Sequence, residues 1–135
     1  MRPIAGVTLL AAAALAAGGC GAAQTNSSSK FKGEQGQVAK VVDDLSSAGQ
    51  KKDAAKICNS ILSQSLVAQI KAAGADCQQE MKKAIDDADS YDLQVQSVTI
   101  NGNQAQAKVR QGKKGPFATF EFVKENGGWR ATSLG

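Results

Sequence analysis

Histidine is absent from this 135-residue chain. That removes the Ser-His-Asp and Cys-His arrangements of nucleophilic catalysis, together with the imidazole ligands of most metal sites. Cysteine is scarce: Cys20, Cys58 and Cys77 are the three present, and no pair has Cys-x-x-Cys spacing. A zinc site therefore has no ligand set, and no metal or cofactor is expected. Aromatics are few, with four Phe, one Tyr and one Trp. Charge is mild, 16 Lys and Arg against 12 Asp and Glu. The basic pairs Lys51-Lys52, Lys82-Lys83 and Lys113-Lys114 are scattered along the chain. A nucleic-acid partner needs a concentrated basic stripe with aromatic partners, so none is expected. Weak attraction to anionic lipid headgroups is the most this balance supports. Nor is any apolar run long enough to span a membrane, which takes about 20 residues in a helix.

What is present starts with an export pattern. Arg2 supplies one positive charge, residues 4–17 are apolar and small, and the run breaks at Gly18-Gly19. This predicts a signal peptide over residues 1–19. The stretch Ala16-Ala17-Gly18-Gly19-Cys20 resembles the lipobox of bacterial lipoproteins, with Ala17 standing where the family usually has Leu or another branched aliphatic. The resemblance implies that the Cys20 sulfur carries diacylglycerol and that the protein sits on the outer face of the cell membrane. Ordinary secretory cleavage after Ala23 is the alternative, because Gly21-Ala22-Ala23 is a small-x-small pattern. Removing the leader takes away Arg2 alone of the 16 basic residues, leaving 15 against 12 acidic ones.

An odd cysteine count in an exported chain requires an explanation. Acylation of Cys20 leaves Cys58 and Cys77 as a pair, and an oxidising compartment joins such pairs. The bridge would close a loop of about 20 residues and contribute about 3 kcal/mol in the chain-entropy description. Two unpaired core cysteines are the alternative. Residues 20–36 read as a lipidated cysteine followed by a flexible tether. The segment Gly21 to Gly36 is rich in Ser, Gly and Gln, with no apolar period, and it is expected to be disordered. Sixteen such residues span roughly 20 to 24 Å.

Residues 37–135 read as one folded domain. Val38, Val41, Val42 and Leu45 fall on one face of a helix that Gly49 can end. Asp53 is a candidate N-cap for a second helix burying Ala54, Ile57, Cys58, Ile61 and Leu62. The pattern breaks around Ser63 to Ser65 and resumes with Leu66, Val67 and Ile70. Asp76, with Gln79 three residues on, starts a last helix carrying Cys77, Met81, Ala84, Ile85 and Ala88. After Ser90 the period becomes two. Leu93 and Val95 lie on one parity and Val98 and Ile100 on the other, which predicts a bulge near Ser97. Asn101-Gly102 predicts a two-residue hairpin turn. Ala105, Ala107 and Val109 then alternate with polar residues, Pro116 stands at a strand edge, and Asn126-Gly127-Gly128 makes a last turn. The prediction is an α+β domain: three to four N-terminal helices packed on a curved four-stranded antiparallel sheet.

Helices first, then a sheet ending in Lys124-Glu125-Asn126-Gly127-Gly128-Trp129, resembles the nuclear-transport-factor-2-like superfamily. The Asn101 to Val109 hairpin is similar to one common among its small secreted members. The resemblance covers about residues 37–135 and implies a bent sheet wrapping helices into a cone. This superfold hosts many functions. Members that are isomerases or dehydratases use an Asp base in the cone, sometimes with Tyr or His.

No catalytic set survives sorting. Asp43-Asp44 read as the solvated side of the first helix. The run Asp86 to Asp92 lacks the Gly and Glu positions of a calcium loop. Phe120, Phe122 and Trp129 are candidate cavity residues that also suit a core. Glu121, between two Phe rings, is a desolvated acid if its face is the cavity and simply exposed otherwise. The leading reading is a non-catalytic lipoprotein binding a small apolar ligand or an envelope protein partner. A cavity enzyme using one carboxylate, Glu121 or Asp92, is the alternative. A pure interaction module, like the cone domains that act as spacers in cell-wall enzymes, is the third.

Intact mass of the protein released from native membranes tests the export reading. The expected mass is residues 20–135 plus diacylglycerol, with two cysteines alkylated only after reduction. A soluble chain starting at Gln24 would overturn the anchor.

Overall fold

The computed structural model describes residues 27–135. Cys20, the signal-peptide reading and the first six residues of the expected tether lie outside the described residues.

Among the described residues, four α-helices, a 3-10 turn and a π-helical turn precede four strands. Helix α1 (Gly33–Gln50) is the long one, and its apolar stripe, Val38, Ala39 and Val42, is buried completely. Each such Val contributes about 1.5 to 3 kcal/mol when fully removed from water. The Asp53 carboxylate accepts from the Lys56 amide at 3.0 Å, capping the short α2 (Ala54–Lys56). This helix widens into a π-helical turn, Ile57–Ile61, that turns Ile57, Cys58 and Ile61 inward. Leu62 is extended, and Ser63 then caps α3 (Gln64–Ala72) by accepting from the Leu66 amide at 3.1 Å. Asp76 caps α4 (Cys77–Asp87) through the Gln79 amide at 3.0 Å. All three caps carry side-chain oxygens that satisfy amides left unpaired at a helix start. Cys58 and Cys77 form a disulfide joining the π-helical turn to α4.

The strands are β1 (Leu93–Asn101), β2 (Gln104–Gln111), β3 (Phe117–Glu125) and β4 (Gly128–Ser133), an antiparallel meander in sequence order. The sheet is open. Its inner face carries Ala105, Ala107 and Val109 from β2, Phe120 and Phe122 from β3, and Trp129 and Ala131 from β4, all buried in one core with the α1 stripe. The expected bulge is present, with register slipping between Val95 and Ser97. A second slip lies between Glu121 and Phe122. The first hairpin differs from expectation by one residue. Asn101 pairs with Gln104, so the turn is Gly102-Asn103. Only Gly102 has positive φ, +63°, as in turns that need Gly at the first central position. At Asn126-Gly127 both central residues have positive φ, +49° and +80°, the backbone that Asn-Gly supports best.

The largest departure is at the start. Residues 27–36, read above as part of a flexible tether, are ordered. Ser28–Lys30 form a 3-10 turn and α1 begins at Gly33, so the folded part begins ten residues ahead of residue 37. Asp43 causes this. It is not a solvated side chain: its carboxylate oxygens accept from the Ser27 and Ser28 amides, each at 2.9 Å. Ser27 is buried, and its hydroxyl accepts from the Val95 amide at 2.9 Å. A buried amide beside the bulge is thus satisfied by a residue 68 positions away.

Both sheet edges are closed the same way. On β1, Gln35 Nε2 donates to the Val98 carbonyl at 3.1 Å, and the Leu93 amide donates to Ser46 Oγ. Along β4, Leu62 makes a parallel bridge to Ala131, and the Ser63 amide donates to the Ala131 carbonyl at 2.8 Å. Exposed strand edges invite pairing with other chains, and such coverage removes the template.

Two predictions follow from these contacts. Replacing Cys58 and Cys77 with Ser should lower the urea-unfolding free energy by about 3 kcal/mol, the loop-closure contribution. Asp43→Ala should cost about 2 kcal/mol, from two charge-assisted hydrogen bonds in a partly buried site. Amide hydrogen exchange should show protection lost first at Ser28 and Val95.

Candidate functional site

The last turns of α1, the start of β1, the end of β2 and α4 border an opening between them. The opening is a pocket of about 170 Å³. Leu45, Ser46 and Gly49 of α1 form one wall, and Met81, Ala84, Ile85 and Ala88, from α4 and its C-terminal end, form the second. Tyr91, Leu93 and Phe120 close it from the sheet side, with Leu134 from the chain's last residues. Ile57 of the π-helical turn reaches the floor. Ser46, Ser90, Gln111 and Tyr91 are its lining residues with polar side-chain groups, and no carboxylate or ammonium group lines it.

Ser46, Ser90 and Gln111 are already engaged. Ser46 Oγ donates to the Tyr91 carbonyl while accepting from Leu93. The Gln111 amide nitrogen donates to the Ser90 carbonyl at 2.7 Å, and Ser90 Oγ accepts from the Asp92 amide. They tie the walls together and leave the interior apolar. Gly49 sets the width of the pocket. A Cβ built there would stand 2.9 Å from the Tyr91 ring, so the ring packs against bare backbone.

The sequence-selected cavity residues do not come together. Phe120 lines the pocket. Phe122 and Trp129 are buried in the core away from it, at 2% and 5% exposure. The Trp129 ring is covered by Lys124 Nζ, 5.6 Å from its centroid, and its Nε1 has no hydrogen-bond partner among the described residues. Glu121 lies on the outer face, opposite Gln106 in the register, and is exposed. Of the two readings of Glu121, exposure is the observed one. Asp92 sits in the turn before β1, where its carboxylate accepts from Gln94 at 3.2 Å. Neither acid lines the pocket. Among the described residues no cluster of His, Cys, Asp and Glu is arranged to hold a metal, and no helix is long and apolar enough to cross a membrane.

Sequence reasoning missed Leu45, Gly49, Met81, Tyr91 and Leu134 as a group. Leu45 and Met81 were visible as members of apolar helix faces, which is the pattern of core residues. The gap between them exists only in the packed structure.

No family model, curated protein or solved structure matches this chain.

Gly49→Val should force the Tyr91 ring out of place and close part of the pocket. The expected cost is about 1 to 3 kcal/mol, as for other overpacked sites, read as a lowered urea midpoint. Near-ultraviolet circular dichroism should change with it, because Tyr91 is the chain's sole tyrosine.

Proposed function

We propose that this chain is an exported, lipid-anchored domain of nuclear-transport-factor-2-like design that binds a small apolar ligand without catalysing a reaction on it. The observation carrying this reading is the 170 Å³ pocket with apolar walls. Its size sets the ligand class. Pockets for drug-sized molecules run from about 300 to 1,000 Å³, whereas an apolar cavity of about 150 Å³ accommodates a benzene-sized guest. The fit is to one ring or the end of one acyl chain. Binding would come from apolar area removed from water, about 25 cal/mol per Å², with little directional selection from Ser46, Ser90 and Gln111, which are already hydrogen-bonded.

The lipoprotein part of the proposal is supported by the lipobox-like residues around Cys20 and by the Cys58–Cys77 bridge, which suits an oxidising compartment. The cone-fold part is supported by four strands following four α-helices. A cavity enzyme would need an acid within reach of a bound ligand. Glu121 faces solvent on the other side of the sheet, and Asp92 is engaged outside the pocket, which favours binding over catalysis.

Titration with benzene and with 1-hexanol, followed by methyl resonances in carbon-13 NMR, tests the reading. Met81, Leu45 and Leu134 should shift while Val38 and Val42, deep under α1, should not. Gly49→Val should abolish the response. Uniform shifts throughout the core, or none at saturating probe, would overturn the ligand reading.

A further inference from the structure

The basic residues that look scattered along the chain are partly gathered by folding. Lys108 and Arg110 sit on the outer face of β2, and Arg110 stands opposite Phe117 of β3 in the register. Phe117 is 41% exposed, the one large hydrophobic side chain so open among the described residues. Both cations lie against its ring, Lys108 Nζ at 4.9 Å and Arg110 Cζ at 4.7 Å from the centroid. The 3-10 turn brings up a third, since Lys30 and Phe31 share a groove of about 420 Å³ with Arg110 and Phe117. Arg110 Nη1 also donates to the Lys113 carbonyl at 2.7 Å, drawing the exposed Lys113-Lys114 loop alongside. That loop is tightly specified, because a Cβ at Gly115 would fall 1.7 Å from the Gln111 carbonyl oxygen.

The charge of the outer face changes along β3. Phe117 is at its basic end, while Glu121, four residues along, belongs to the other end with Glu125, where two carboxylates stand against one cation, Arg130 of β4, opposite Val123. Four strand residues correspond to about 13 Å. The basic end is also where the chain arrives from its N-terminus, because Ser27 is held to Val95 of β1. From Cys20 to Ser27 there are seven residue steps, which cannot exceed about 25 Å even fully extended. A lipid on Cys20 would therefore hold this end of the sheet close to the bilayer.

We propose that the outer-face patch centred on Phe117, Lys108 and Arg110 is a docking surface for the anionic phospholipid membrane. It rests on the anchored reading only for which surface lies nearest. Anionic headgroups meet Lys30, Lys108, Arg110 and the Lys113-Lys114 loop, and the Phe117 ring enters the interfacial layer with its two cations beside it. The acidic end with Glu121 points away, so the domain takes one orientation. Each basic side chain near an anionic surface strengthens association about fivefold, so removing the Lys108 and Arg110 charges should weaken docking about 25-fold.

The disulfide makes a direct test possible, because it leaves Cys20 as the one free thiol of residues 20–135. That processed chain, coupled through Cys20 to a maleimide lipid, is held on vesicles whether or not the natural protein is acylated. A failed anchor, read from intact mass, is thus distinguishable from failed docking. Vesicles of brominated phosphatidylglycerol and phosphatidylcholine should quench Phe117→Trp fluorescence strongly and Val123→Trp, nearer the acidic end of the same face, little. The Phe117→Trp quenching should fall to the Val123→Trp level in pure brominated phosphatidylcholine, in 1 M salt, where the screening length is about 3 Å, and in Phe117→Trp with Lys108→Glu and Arg110→Glu. Equal quenching at both positions, or quenching indifferent to lipid charge and salt, overturns the proposal. It would return the patch to solvent or to an anionic polymer of the envelope.

Discussion

The burial of the α1 stripe on a sheet face built from small side chains is the constraint on which the rest of this molecule depends. Ala105, Ala107 and Ala131 are buried with Val38, Ala39 and Val42 in the same core. Small residues on one strand let a helix come close, and close approach removes the most water per residue. Phe120, Phe122 and Trp129 fill the space beyond the alanines. The far end of α1 packs Gly49 against the Tyr91 ring, and the gap left between it, α4 and the sheet is the pocket.

The polar contacts serve that arrangement. An open four-stranded sheet has two edges, and here each is satisfied by groups from outside the sheet: Ser27, Gln35 and Ser46 along β1, Leu62 and Ser63 along β4. The disulfide adds a covalent tie between the π-helical turn and α4, two elements too short to be stable alone. With its edges closed and its inner face filled, the sheet has one surface left for a partner, the outer one. Aromatic and basic groups at one end and carboxylates at the other make that surface directional.

The coarse architecture was legible. Helical spacing in Val38 to Leu45, capping residues Asp53 and Asp76, the break around Ser63 to Ser65, and alternation in Ala105 to Val109 are local signals, carried by residues within one turn or one strand of each other. They led to the right elements in the right order, and the parity change between Val95 and Val98 located the bulge. The first hairpin turn was misplaced by one residue because Asn-Gly and Gly-Asn turns share the same glycine. Asp43 was misread for a deeper reason. Its partners are Ser27 and Ser28, 16 and 15 residues away, and a Ser-rich segment without apolar period carries no sign that a distant carboxylate will order it.

By itself, the amino-acid order determined the absence of imidazole chemistry, the α+β class and the alternation that divides each strand into an inner and an outer set. These depend on composition and on periods of two and 3.6 residues. Only the tertiary structure decided which cavity exists, which acids face away from it and which basic residues share a surface. Pockets and patches are made by residues far apart in the chain, as Gly49 with Tyr91 and Lys30 with Phe117. Their distances follow from how helices and sheet pack, a property that no local pattern encodes.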